Sequence, residues 1–292
     1  LTFFLCLVYS NRPALHNTSP ALYLVCFIQI SSILVLYIKA LIFLMQDLCF
    51  LVCLMSIIIL NLIDFSSPFD QWFRLNWDHE DKAHDLAHLQ RVWASARKIM
   101  QDSDADPLVV LTACYFHDVV NLPKNHPERH LASGYAARET LRILAADFPD
   151  FPQALYAAVS HAVEAHSFSA GIPARTPEAK IVQDADRLES LGAIGLARVF
   201  YTSGALGRPL FDSQDPFARE RPLDDTRWAL DHFQTKLLGL PATMHTDAGR
   251  ALAEYHAAFL VEYMARLSDE LFPEQQPAGE IRREFMERLK PS

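Results

Sequence analysis

From Lys82 to Leu289 apolar residues recur at intervals of three and four, and no segment alternates apolar with polar residues in the two-residue rhythm of a strand. Leu86, Leu89, Val92, Trp93, Ala96, Ile99 and Met100 form the stripe of an amphipathic helix. Asp106-Pro107 is a cap and first-turn pair that opens the strongly apolar segment Leu108 to Val120. Pro123 and Pro127 interrupt a polar loop, and helical spacing returns in Leu131 to Ala146, Gln153 to His166 and Glu178 to Tyr201. Thr202 to Asp225, with its glycines and prolines, reads as a long irregular connection. Helices are expected again over Arg227 to Leu238, Asp247 to Leu271 and Ile281 to Leu289. The fold class is all-α.

Residues 1–64 are of another kind. They carry four formal charges (Arg12, Lys39, Asp47, Asp64) and no Gly or Trp, so the chain divides into an apolar leader, 1–64, and a second part, 65–292, with a boundary near Ser66 to Phe69. Ala21 to Ile38 and Leu48 to Ile63 are uncharged runs, which gives one or two apolar, transmembrane-type helices and a membrane contact through residues 21–63. The second run is short for a bilayer, and Lys39 would be costly inside one. Because the sequence opens on Leu1, the leader reads equally as a membrane anchor or as a fragment or upstream translation joined to the second part.

The second part is large enough to bury a core without disulfides, and it keeps the whole net charge of −9, since the leader's charges cancel. An acidic surface does not attract nucleic acid in bulk, so an anionic substrate must be met by local cations or by a metal. Four of the five cysteines sit in the leader and only Cys114 lies beyond it, which leaves no disulfide framework there and fits a reducing, cytoplasmic setting, membrane-anchored if the leader is genuine.

Metal-type side chains stand at three points of the helical pattern: His88, the adjacent pair His117-Asp118 at the end of an apolar helix, and Asp186 in Asp-Ala-Asp-Arg-Leu. Imidazole together with carboxylate suits Mn, Fe, Ni, Zn or Mg rather than a soft ion. A carboxylate closing a helix of Leu, Val, Ala, Cys, Tyr and Phe is expensive unless a cation compensates it. His84 lies one turn before His88 on the same face, and Asp184 competes with Asp186; Arg-Val behind His88 and Ala-Asp-Arg-Leu around Asp186 favour the second of each pair.

The order H…HD…D, with 29 residues from His88 to His117 and 68 from Asp118 to Asp186, resembles the HD superfamily of metal-dependent phosphohydrolases. From Phe69 to Leu271 the chain is similar to the YedJ-like bacterial subgroup, through Leu-Thr-Ala-Cys-Tyr-Phe-His-Asp at 111–118, Asn-Leu-Pro-Lys-Asn-His-Pro at 121–127, Ala-His-Ser-Phe-Ser-Ala at 165–170 and Ile-Val-Gln-Asp-Ala-Asp-Arg-Leu-Glu at 181–189. The resemblance implies an HD-type helical bundle with His88, His117, Asp118 and Asp186 as ligands of one divalent metal ion. It implies a metal-activated water acting on a nucleotide or other small phosphate ester, with Asp118 orienting that water and Lys124, Arg129 or Arg187 offsetting charge.

His161, His166 and His130 are candidates for a second metal or for substrate. His161 and His166 are five residues apart and share no helical face unless the helix ends between them. The loop from Asn121 to His130 reads equally as a phosphate clamp and as an ordinary solvated loop. Two rival functions remain: a di-iron HD oxygenase, which would need His161 and His166 in the cluster, and a nucleotide-binding adaptor without turnover. P-loop, nucleophile-elbow and zincin motifs have no counterpart in the sequence.

Overall fold

The computed structural model describes residues 65–77, 85–122, 126–167 and 170–289, and among these all regular structure is helical. The leader, with both apolar runs, lies outside the described residues, as do His84 and Lys124. Among the described residues no helix is long and apolar enough to cross a membrane.

Helix α1 (65–76) crosses the compositional boundary and was not expected as a helix. It forms because Phe65, Phe69, Trp72 and Phe73 fall on one helical face, and that face has aromatic partners. Phe69 meets Phe116 and Phe148 edge-on, with ring centroids 5.0 and 4.9 Å apart, and Phe73 lies 5.0 Å from Phe116. Asp70 then ties α1 to its neighbours by accepting hydrogen bonds from Gln90 Nε2 and the Tyr115 hydroxyl, each at 2.9 Å.

The centre of the bundle is α3 (Pro107–Phe116), whose residues Val109 to Phe116 are all buried. Its hydrophobic surface runs all the way round, so it needs cover on every side. That cover comes from α2 (Leu86–Ile99), α4 (Ala132–Asp147), α5 (Tyr156–Ala165) and α6 (Pro177–Leu188), in addition to α1. Beyond α6, the long α9 (Asp247–Leu271) packs against α6, α7 (Gly192–Ala205) and α10 (Ala278–Arg288). Ala253, Ala257, Leu260, Val261, Met264 and Ala265 form its buried stripe.

Among the expected helices, two are broken up in the structure. Glu178 to Tyr201 is two helices, because α6 stops at Leu188 and Gly192 adopts φ 65°, a left-handed conformation that a continuous helix cannot contain. A Cβ at Gly192 would also stand 2.6 Å from His256 Nδ1 on α9, so the break is fixed by packing as well as by the backbone. Arg227 to Leu238 contains only the short α8 (Asp231–Thr235) and a 3-10 turn, Leu237–Gly239. There the chain bonds sideways, Ala229 N to Pro209 O and Leu230 N to Leu210 O, instead of to its own preceding carbonyls. Asp231, fully buried, takes a two-pronged ion pair from Arg221 at 2.6 and 2.7 Å and so anchors the irregular segment rather than opening a longer helix.

Candidate metal centre and cleft

Local caps set the positions of the three metal-type helix ends. Asp85 caps α2 and accepts from His88 N at 3.0 Å, which fixes His88 in the first turn with its side chain fully buried. Asp106 and Pro107 start α3, with Asp106 accepting from Leu108 N and Val109 N, so that the helix ends at Phe116 and His117 becomes its cap. The helix is therefore shorter than the expected Leu108 to Val120, and Asp118 turns out of the core, 18% exposed. Thr176 and Pro177 start α6, which carries Asp186 in its last turn.

These ends converge. His88 Nε2 lies 3.2 Å from His117 Nε2, 3.6 Å from Asp186 Oδ1 and 3.9 Å from Asp118 Oδ2. His117 Nε2 lies 3.5 Å from Asp118 Oδ2 and 3.7 Å from Asp186 Oδ1. Tautomers follow from the outer nitrogens. His117 Nδ1 faces the Cys114 carbonyl at 2.9 Å, which can only accept, so that nitrogen carries the hydrogen. His88 Nδ1 likewise faces the Glu189 carboxylate at 3.2 Å. Both Nε2 atoms are then lone-pair nitrogens pointing at each other and at two carboxylate oxygens. Burial holds the His88 pKa below its ordinary value, with the Glu189 hydrogen bond offsetting only part of this, so a second ring proton is disfavoured.

Four acceptors facing one another at these separations repel unless a cation lies among them. Ligands held at about 2.0–2.2 Å around one ion sit roughly 3–3.5 Å apart, close to the observed spacings. The side chains thus fit a divalent cation, and His88, His117 and Asp118 form a group able to hold one.

The remaining candidates separate by position. His166 reaches the cluster: its Nδ1 donates to the Val163 carbonyl at 2.6 Å and its Nε2 lies 3.7 Å from Asp118 Oδ1, the oxygen turned away from the other two histidines. Burial first, and His117 second, lower its pKa. His161, on the same helix, instead accepts from Arg175 N at 3.1 Å. The helix ends at Ala165, between the two histidines, and His166 as its C-cap turns to Asp118 while His161 turns to Arg175. His130 is exposed in the 3-10 turn Arg129–Leu131. Asp184, the competitor of Asp186, is fully buried and accepts from His245 N, Thr246 N and the Thr246 hydroxyl, so it holds the start of α9.

Residues 85–191, the span that contains all of these groups, match the HD domain family. The chain is also 30% identical over 213 residues to the uncharacterized protein YpgQ of Bacillus subtilis (strain 168), an alignment covering 68% of this chain and 90% of that protein. This chain belongs to the HD family. Solved structures agree with the fold. The B. subtilis YpgQ crystal structure in complex with ADP is 27% identical with a TM-score of 0.54, covering 72% of this chain and 96% of that one. A Lactobacillus plantarum protein is 30% identical with a TM-score of 0.53, covering 70% and 95%. A Bacillus thuringiensis HD-superfamily hydrolase is 25% identical with a TM-score of 0.53, covering 72% and 96%.

In this HD domain Asp118, His166 and Asp186 stand on the wall of a cleft of about 1010 Å³. Arg129, Arg187, Arg198, Arg208 and Lys236 line it, against Asp118 and Asp186 as the only carboxylate side chains among the lining residues. In a chain of net charge −9 that is a local reversal of sign. Arg129 donates to the Leu122 carbonyl, four residues beyond Asp118. Arg187 is mostly buried, bonded to the Thr243 carbonyl and to Gln183 Oε1 at 2.7 Å, so it braces the cleft wall.

Two residues of the HD site were missed in the sequence. Glu189 bonds His88, and Arg91 bonds Glu189 from Nε at 2.9 Å and Nη2 at 2.8 Å. Burial raises the Glu189 pKa, but the bonds from His88 and Arg91 more than offset this and leave it below the ordinary value. The signal lay in the three-residue spacings, His88 to Arg91 and Asp186 to Glu189, each of which shares a helical face.

Proposed function

We propose that this HD domain is a metal-dependent phosphohydrolase that acts on a nucleotide or other small phosphate ester. The observation that carries the reading is the two-sided placement of Asp118. Its Oδ2 belongs to the four-acceptor cluster while its Oδ1 lies 3.7 Å from His166 Nε2, and the residue lines the basic cleft. A site that could hold a cation therefore opens directly onto a chamber suited to an anion. The size of that chamber is that of a small-molecule site rather than of a single phosphoryl group. That the similar B. subtilis YpgQ was solved in complex with ADP supports a nucleotide as the ligand class.

His88, His117, Asp118 and Asp186 would hold the ion. The chemistry such a divalent ion would supply is a lowered pKa for a water and polarisation of a phosphoryl oxygen. The chain's own groups do the rest. Asp118 Oδ1 accepts a hydrogen bond from the attacking water and aims it. His166, kept neutral by burial with its hydrogen on Nδ1, offers Nε2 on the same side as a hydrogen-bond acceptor. Arg129 and Arg198 supply cationic donors toward phosphate oxygens. Ser133, buried in the cleft wall with no hydrogen-bond partner for its hydroxyl among the described residues, is suited to a further polar group of the substrate. The di-iron alternative is less favoured, because His161 Nε2 accepts from Arg175 N instead of facing the cluster.

The test is phosphate or pyrophosphate release from a panel of phosphomonoesters, diesters and nucleotides by the purified protein loaded with Mn, Mg, Ni, Zn or Fe. Turnover of at least one substrate is expected. Asp118→Ala should weaken metal retention and lower turnover by more than about 100-fold, beyond the loss typical of an outer hydrogen-bond partner. Binding of a nucleotide without turnover under every metal would favour an adaptor, and oxygen consumption with two irons per chain would favour an oxygenase.

A further inference from the structure

His117 and His166 each direct Nδ1 to the carbonyl three residues earlier, of Cys114 and Val163, so their own helices set their tautomers. His88 cannot use that device. It lies in the first turn of α2, where the carbonyl three residues back, that of Asp85, already accepts from His88 N at 3.0 Å and Leu89 N at 3.3 Å. Among the described residues the acceptor facing His88 Nδ1 comes from another element.

It comes from α6. Asp186 and Glu189 are one turn apart and embrace the same imidazole, Asp186 Oδ1 at 3.6 Å from Nε2 and Glu189 Oε2 at 3.2 Å from Nδ1. Glu189 is itself aimed. Its side chain is 7% exposed, and its Oε2 receives Arg91 Nε and Nη2 from the position three residues beyond His88 on α2. α2 thus supplies both the imidazole and the cation that steers the carboxylate onto it.

We infer that Glu189, steered by Arg91, is the positioning residue that locks His88 with its hydrogen on Nδ1 and its Nε2 lone pair facing Asp118, Asp186 and His117. The inference rests on the metal-dependent reading above for its consequence, which is metal affinity, but not for the tautomer itself. A carboxylate in this position raises the basicity of the ligand nitrogen and removes the ring-flipped and Nε2–H states that compete with metal binding. A plain structural tie between α2 and α6 would affect stability and leave both properties unchanged.

Long-range proton–nitrogen spectra of the metal-free full-length protein and calorimetric titration with Mn²⁺ test it. In the wild type His88 should be the Nδ1–H tautomer. In Glu189→Ala it should become a mixture or the Nε2–H form, with Mn²⁺ bound about 10–100-fold more weakly. Glu189→Gln, whose amide oxygen still accepts, should keep the tautomer and lose less affinity. Arg91 is partly exposed, so Arg91→Ala remains informative if Glu189→Ala fails to fold; it should weaken Mn²⁺ binding less than Glu189→Ala, and the double variant should be no weaker than Glu189→Ala alone. An unchanged Nδ1–H tautomer with wild-type affinity in Glu189→Ala, or in Arg91→Ala if that is the only folded variant, would overturn the inference. A wild-type protein that bound no divalent cation would instead overturn the metal-dependent reading, and the tautomer spectra would still decide the role of Glu189.

Discussion

Asp184 and Asp186 show how two carboxylates two residues apart take opposite duties. Asp184 is buried and receives three donors from the start of α9, whereas Asp186 faces acceptors. Asp184→Ala should cost about 2–4 kcal/mol of stability, because it leaves buried donors without an acceptor. Asp186→Asn should leave the metal-free fold as stable as the wild type or more so, since it relieves repulsion, yet abolish metal binding. Thermal melts of both variants with and without Mn²⁺ would check the contrast. Sequence context had favoured Asp186 through the residues around it, but the reason for Asp184 lay sixty residues away at His245 and Thr246, beyond any local pattern. Glu189 was legible in principle, as the last letter of a quoted run, but its partner His88 is 101 positions distant.

At the scale of elements, periodicity located the helices that bury one face, and it failed where a helix is interrupted by geometry. α2 and α9 fall where their apolar stripes place them, and α9 spans the expected Asp247 to Leu271. The continuous spacing from Glu178 to Tyr201 hid the break at Gly192, because apolar residues on both sides continue the rhythm while the chain changes direction. That break carries α7 to the cleft wall, which Arg198 helps to line. Gly192→Ala should therefore be costly, about 1–2 kcal/mol for the left-handed backbone alone and more for the contact with His256. Chemical denaturation of the variant, with the slope compared to wild type, measures it. α1 was missed for a different reason: its aromatic face adjoins the apolar leader, and composition masked a helix that belongs to the core.

For the whole molecule, stability and function are set against each other at the cluster. His88 and His166 are kept neutral by burial, with pKa values below the ordinary 6.5. Below pH 6.5 the unfolded chain takes up protons at these two positions before the folded chain does, so the metal-free fold should lose stability as pH falls and show no such loss above that pH. His166→Gln should flatten this dependence in melts between pH 5 and 8. Among the described residues a basic cleft stands beside the end of α3 in a chain of net charge −9, with Asp118 and Asp186 of the cluster on its wall. The most direct measurement is an anomalous-scattering map from crystals of this protein soaked in Mn²⁺. A peak within bonding distance of His88 Nε2, His117 Nε2, Asp118 Oδ2 and Asp186 Oδ1 is expected. A saturated crystal with no ion among those four atoms, or with manganese only elsewhere on the chain, would contradict the account.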